Sequence, residues 1–310
     1  MKTQASPGLW RRFRDSDLGH AFLTSPLAVI SLAVLVAVIG LAALAPVIAP
    51  QDLRISGNVD LMNGFTLPFS RNEFTDEFFL LGADDQGRDM VSAVLFGARA
   101  SLMVGIAAVA LAAMIGVTLG LMAAYFGGRI DAIIMRLADV QMSIPSILMA
   151  LLVFGLTRSI LPSGMRDAMA IYVVILAIGL SEWVSYARTV RGAAMIEMRR
   201  EYIQAAVMMG RPARAILFRH LLPNVARPIL VISTISFALA VIAEATLSYL
   251  GAGLPATQPS LGTLIRVGQQ FLFSGEWWIL TFPALVLLVL ALSINLLGDW
   301  LRDTLNPRGR

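Results

Sequence analysis

In 310 residues the chain has no cysteine, two histidines and one lysine, and each scarcity removes a class of function. Without thiols there is no disulfide framework and no zinc or iron–sulfur centre held by thiolates. His20 and His220 lie far apart in the chain, so there is no H-E-x-x-H helix and no histidine cluster to hold a catalytic zinc. The lone lysine is Lys2, and the other 23 basic residues are arginine. A phosphate-cradling P-loop ends in Gly-Lys-Ser or Gly-Lys-Thr, which Lys2 cannot supply, so this polypeptide is not itself an ATPase and is expected to need no cofactor. Charge is also sparse. Only 14% of residues are charged, against about 25% in soluble domains, while 57% are hydrophobic. A bilayer is the natural solvent for such a chain.

Crossing about 30 Å of hydrocarbon takes about 20 apolar residues. Six stretches qualify: Ser25 to Ala49, Ala100 to Tyr125, Ile133 to Leu156, Met169 to Ala187, Pro228 to Leu250 and Trp278 to Leu297. They predict an all-α bundle of six transmembrane helices, with Pro145 and Pro283 as possible kink sites. Arg11, Arg12 and Arg14 ahead of the first stretch, and Ala43-Leu44-Ala45 at its end, resemble a signal peptide. The apolar run is too long for an h-region and Pro46 follows the candidate cut, so an uncleaved span is expected.

Basic residues orient the bundle. With the N-terminus inside, 17 of the 24 Lys and Arg residues fall on the cytoplasmic side, eight of them between Arg188 and Arg227. The predicted layout is a cytoplasmic tail over 1–24 and a first span with its outer loop over 25–99. A core over 100–300 contains an inner loop at 188–227, and a cytoplasmic tail over 301–310 closes the chain.

That inner loop has helical periodicity. Tyr202, Ala205, Ala206 and Met209 form one apolar stripe, Gly210 suits a helix stop, and Pro212 suits the first turn of a second helix. The second helix has its own apolar side in Ile216, Leu217, His220 and Leu221 and is expected to end at Pro223. A stripe outside the membrane packs on the chain's own spans, lies on lipid headgroups, or docks into another protein.

Acidic residues near spans are candidate proton relays. Glu244 lies in the outer half of the fifth span with Thr246, Ser248 and Gly251 on a small polar face. It either lines a translocation path or makes an interhelical hydrogen bond. Asp139 is expected to pair with Arg136, and Glu182 to be a helix-end charge near water. Asp84, Asp85 and Asp89 do not alternate as an EF-hand loop does, so Asp85 or Asp89 is expected to be a helix N-cap. Glycines 116 and 120 read as close helix packing and not as a phosphate loop.

The run from Gln204 to Pro223, with Ala205-Ala206, Gly210 and Leu222-Pro223, resembles the "EAA" loop of binding-protein-dependent ABC importer permeases, with Gln204 in place of the family's Glu. GADDQGRD before the second span, AYFGGRIDAIIMRLADVQMSIPSILMA, EATLSYLGAGLPATQPSLG and the closing NLLGDWLRDTLNPR are similar to the C-type permease of dipeptide and oligopeptide importers. Ala83 and Leu261 depart from that branch, which usually has Thr and Trp there. The resemblance implies a type I ABC importer permease in the bacterial inner membrane and no contact with nucleic acid. Its implied partners are a second, B-type permease, two cytoplasmic ATPases, an external substrate-binding protein and membrane lipid. It implies ATPase docking on Glu201, Gln204, Ala205, Ala206, Gly210, His220, Leu222 and Pro223, with Glu244, Thr246 and Ser248 on a possible path. An ion-coupled secondary transporter is the alternative. That class predicts inverted repeats and midplane ion ligands, and no repeat is visible here.

Overall fold

The computed structural model describes residues 17–53, 59–255 and 257–305. Lys2, Arg11, Arg12, Arg14, most of the N-terminal tail, Ala256 and the closing residues 306–310 lie outside the described residues.

A short helix α1 (Asp17–Leu23) leads into the first span, α2 (Pro26–Ile48), which opens with Ser25 as N-cap and Pro26 in the first turn. An outer segment follows, with one antiparallel ribbon pairing β1 (Ser70–Arg71) with β2 (Phe78–Phe79). Asp89 then caps α3 (Met90–Phe126), its carboxylate accepting from the Ser92 backbone N–H at 2.8 Å, as its N-cap expectation required. Asp84 is instead paired with Arg88 at 2.6 Å, both side chains buried. At about 1.5 Å per residue, the 37 residues of α3 are far longer than the hydrocarbon is thick, so its ends project beyond it.

The third predicted span is not one helix. It consists of α4 (Gly128–Met142) and α5 (Ser146–Ile160), bent by 97°. Pro145 has no N–H for the ladder and pushes Ile144 out of helical backbone, so the chain breaks where the apolar run continues. Helix α6 (Ala170–Glu197) runs well past the predicted Ala187. The inner loop holds α7 (Glu201–Met208), α8 (Ala213–Ala215), a π turn (Ile216–Leu221) and α9 (Leu222–Asn224), so Pro223 continues the second helix where an end was expected. Then come α10 (Ala226–Tyr249), the amphipathic α11 (Leu261–Phe271) and α12 (Trp278–Leu305). Among the described residues five helices are long and apolar enough to cross a membrane, and the bent pair, taken as one span, makes six.

The axis of the bundle is the contact of α3 with α6. A Cβ on Gly116 would lie 2.3 Å from the Trp183 carbonyl oxygen, and one on Gly120 would lie 2.5 Å from that of Ala187. Only glycine lets the two backbones approach this closely, as in small-residue packing of membrane helices. Leu35, Ala42, Leu102, Val241, Leu264 and Leu290 join α2, α3, α10, α11 and α12 in one buried cluster. Val104, Phe154, Val174, Ile178 and Leu247 join α3, α5, α6 and α10 in another.

Helix α4 is strapped along α6 by polar contacts. Asp131 receives both Nε and Nη2 of Arg191, the latter at 2.6 Å. Asp139 pairs with Arg188 at 2.5 Å, not with Arg136 as expected, because α6 continues past Ala187 and presents Arg188 beside it. Beside the bend, Gln141 donates to the Leu180 and Ser181 carbonyls at 2.9 Å each and accepts from Trp183 Nε1 at 2.7 Å.

Candidate functional site

The inner loop is built around a helix with two unlike faces. Ile203 and Ala206 of α7 are buried, at 0% and 2% exposure, and Ile203 joins Ile216, Leu217 and Leu221 of the π turn. These four pack on Leu121 of α3, Val190 and Ala194 of α6, and Val225 just before α10. The loop is thus seated on the spans by its own core. Its other face points away: Gln204, Ala205, Val207 and Gly210 are exposed, and Met208 and Met209 are 86% and 70% exposed. The predicted stripe of Tyr202, Ala205, Ala206 and Met209 therefore divides, with only Ala206 turned inward.

Gly210 closes α7 with φ +67°, its N–H donating to the Val207 carbonyl at 3.0 Å while Arg211 N–H donates to that of Ala206 at 3.2 Å. These two bonds form a Schellman stop, which needs a left-handed residue after the helix. Nothing lies within 4 Å of the Cβ that a substitution would add, so the demand at Gly210 is conformational. The Tyr202 hydroxyl donates to Glu197 and accepts from Asn224 Nδ2 at 3.0 Å, tying the end of α6 to α7 and α9. Burial of that hydroxyl and the Glu197 carboxylate push it up to about 12, so it stays a donor at neutral pH. Asn224 Nδ2 also donates to the His220 carbonyl at 2.6 Å, while Glu201 and Pro223 are exposed and Leu222 is half-buried.

Glu244 sits in a different place. It is fully buried and accepts from Ser101 Oγ of α3 at 2.5 Å and from Ser248 Oγ at 2.7 Å. Ser101 Oγ accepts from Leu261 N–H at 3.3 Å, and Ser248 Oγ from Leu254 N–H at 3.4 Å. The carboxylate is the hub of a polar knot joining α3, α10 and the start of α11. Thr246, on the opposite side of α10, faces a cleft of about 270 Å³ between α5, α6 and α10. Ser146, Ser181 and Glu182 line the same cleft. A larger cavity of about 480 Å³ lies beside the N-terminal half of α3, lined by Phe96, Arg99 and Gln258 among others.

Comparison with known proteins places this arrangement. Residues 116–310 match the family described as "binding-protein-dependent transport system inner membrane component". The chain belongs to this family. The permease is 36% identical to the "dipeptide transport system permease protein DppC" of Haemophilus influenzae, over 91% of this chain and 90% of the relative. It is 34% identical to the "oligopeptide transport system permease protein OppC" of Bacillus subtilis, over 99% and 92%. A third relative is the "probable D,D-dipeptide transport system permease protein DdpC" of Escherichia coli, 31% identical over 96% and 93%. The fold is that of a solved ABC importer subunit. Inward-facing MetNI methionine ABC transporter structures cover 68% of this chain and 96% of their own at a TM-score of 0.54, with 20% identity.

In the permease, sequence reasoning missed Glu182. It was read as a helix-end charge, yet α6 continues to Glu197 and leaves Glu182 near mid-helix, half-buried in the cleft. The break at Pro145, which sets α5 against α6 and α10, is the feature that would have pointed to it.

Proposed function

We propose that this permease is the C-type subunit of an ATP-driven importer for dipeptides, oligopeptides or related small solutes. It works in the bacterial inner membrane with both chain ends in the cytoplasm. Its partners are a B-type permease, two cytoplasmic ATPases and a periplasmic or extracellular binding protein. The observation that carries the reading is α7: an apolar, methionine-tipped face turned away from the chain, on a helix whose reverse face is packed into the spans. Exposed apolar surface of this kind marks a protein contact, and flexible methionines suit one that must hold through a change of shape.

In this reading residues 188–227 form the coupling loop and residues 100–300 the moving core. Gln204, Ala205 and Gly210 touch or shape the docked surface, whereas Ala206 acts from beneath by seating α7. ATP closes the ATPase pair, the docked helices follow, and the two permeases rock between inward- and outward-facing states. Such a drive requires the ATPase to contact the two states differently, because equal contact shifts nothing. Peptide as the substrate class is supported by the names of the relatives and by their coverage of nearly the whole chain. The excess of arginine between Arg188 and Arg227 supports the orientation.

The test is genetic. Deleting the encoding gene is expected to abolish uptake of a radiolabelled dipeptide, and restoring this chain to recover it. Unchanged dipeptide uptake in the deletion, with loss of uptake of another solute, would overturn the peptide assignment.

A further inference from the structure

Carboxylates are expensive inside a span unless they are paired, bonded or facing water. Asp131, Asp139 and Glu244 all obey that rule, through Arg191, Arg188 and two serines. Glu182 is different. Its carboxylate has no hydrogen-bond or ion-pair partner among the described residues, and it opens into the cleft of about 270 Å³ between α5, α6 and α10.

The rest of the lining says what belongs beside it. Ser181 Oγ and Thr246 Oγ1 each spend their hydrogen on a carbonyl of their own helix, Ile178 and Ile242 respectively, at 2.8 Å. What they present to the cleft is therefore lone pairs. Ser146 lies beside them, and the remaining lining is apolar, as at Ile147 and Ala150. Apart from the Ser146 hydroxyl, which can donate or accept, the polar side chains of the cleft offer acceptors and a negative charge. Its complement is a small cation made only of donors, and an ammonium, with three N–H bonds and no acceptor, fits that description. The volume is near the lower end for a ligand site, sized for one end of a solute. The site is also held firm, because Gln141 grips the Leu180 and Ser181 carbonyls immediately before Glu182. A group placed in advance in this way loses little entropy on binding.

We propose that this cleft is a binding station for the N-terminal ammonium of a peptide in transit, with Glu182 as its counter-ion. The proposal rests on the peptide-importer reading and adds a specificity-determining residue to it. It assigns the permease a preference for substrates with a free amino terminus, beyond whatever choice the binding protein makes.

The test uses the whole importer, with its partner subunits, in proteoliposomes. Import of Ala-Ala and of N-acetyl-Ala-Ala is compared for the wild type and Glu182→Gln at equal protein levels. Hydrogen bonds to charged groups are worth about 1.5–3 kcal/mol, so import of the free-amine peptide should fall about tenfold or more. Import of the acetylated peptide should not change. Because the permease has no cysteine, Glu182→Cys gives a second arm. An anionic sulfonatoethyl thiosulfonate adduct should restore import and a cationic trimethylammonium adduct should not, with the wild-type complex treated in parallel. This arm decides if the acetylated peptide is not delivered at all or if Glu182→Gln fails to accumulate. Wild-type import of the free peptide by Glu182→Gln, or rescue by both adducts alike, would overturn the proposal and leave the importer reading intact. A wild-type complex that imports no peptide would overturn both.

Discussion

Ala205 and Ala206 are neighbours in the chain with opposite surroundings, so the same substitution at each separates docking from folding. Ala206 is 2% exposed, on the buried face of α7 that it shares with Ile203. An indole in place of its methyl group has no room there, and overpacking costs about 1–3 kcal/mol, sometimes more. Against a total stability of about 5–15 kcal/mol, that is enough to lower the unfolding temperature and the level of the subunit. Ala205 is exposed, and surface changes usually stay within about 0.5 kcal/mol, so Ala205→Trp should leave folding untouched. If α7 enters a groove of the ATPase, the indole blocks it. Losing a contact worth about 2 kcal/mol weakens docking about 30-fold. Thermal unfolding in detergent, recovery of the ATPase with affinity-purified permease, and peptide uptake should therefore give opposite patterns. Ala206→Trp should be unstable, whereas Ala205→Trp should be stable, stripped of ATPase and inactive. An Ala205→Trp permease that keeps its ATPase and imports normally would refute the docking argument.

Glu244→Leu should destabilise the permease by about 1–3 kcal/mol for each hydroxyl left without its acceptor, read as a drop in unfolding temperature. Glu244→Gln keeps an acceptor oxygen for one of Ser101 and Ser248, and should cost less while leaving uptake ATP-dependent. Gly120→Leu puts a Cβ 2.5 Å from the Ala187 carbonyl oxygen, so α3 and α6 must part. Its cost, about 1–3 kcal/mol or more, should appear as reduced accumulation and thermal stability, and near-normal stability would contradict the packing described here.

Hydropathy made six apolar stretches legible, five of them single long helices, because a helix satisfies its own backbone in lipid. It did not show that the third is broken, for a physical reason. A sum over residues does not register direction, and Ile133 to Leu156 is apolar on both sides of a 97° bend. Pro145 was visible as a kink site, but how far the chain turns depends on Gln141 reaching across to α6. In the inner loop the helix–bend–helix pattern could be read from Gly210 and Pro212. Which alanine faces the core could not, because Ala205 and Ala206 are chemically identical and only the way α7 lies against the rest of the chain buries one and exposes the other. The outer segment carried no periodic signal at all. Its order comes from side chains bonding to one another, with Asn63 donating to Glu77 at 2.8 Å and Asn72 to Thr66 at 2.8 Å. Glu182 was misplaced because the apolar run fades at Ala187 while the helix continues on arginines that pair with α4.

The central claim is that ATP hydrolysed by partner subunits, and not an ion gradient, drives transport through this chain. The direct measurement is peptide accumulation by the purified complex in proteoliposomes, with ATP and an uncoupler varied independently. The account predicts accumulation that requires hydrolysable ATP and the binding protein and is unchanged by the uncoupler. Accumulation without ATP that collapses when the uncoupler is added would contradict it and establish an ion-coupled transporter instead.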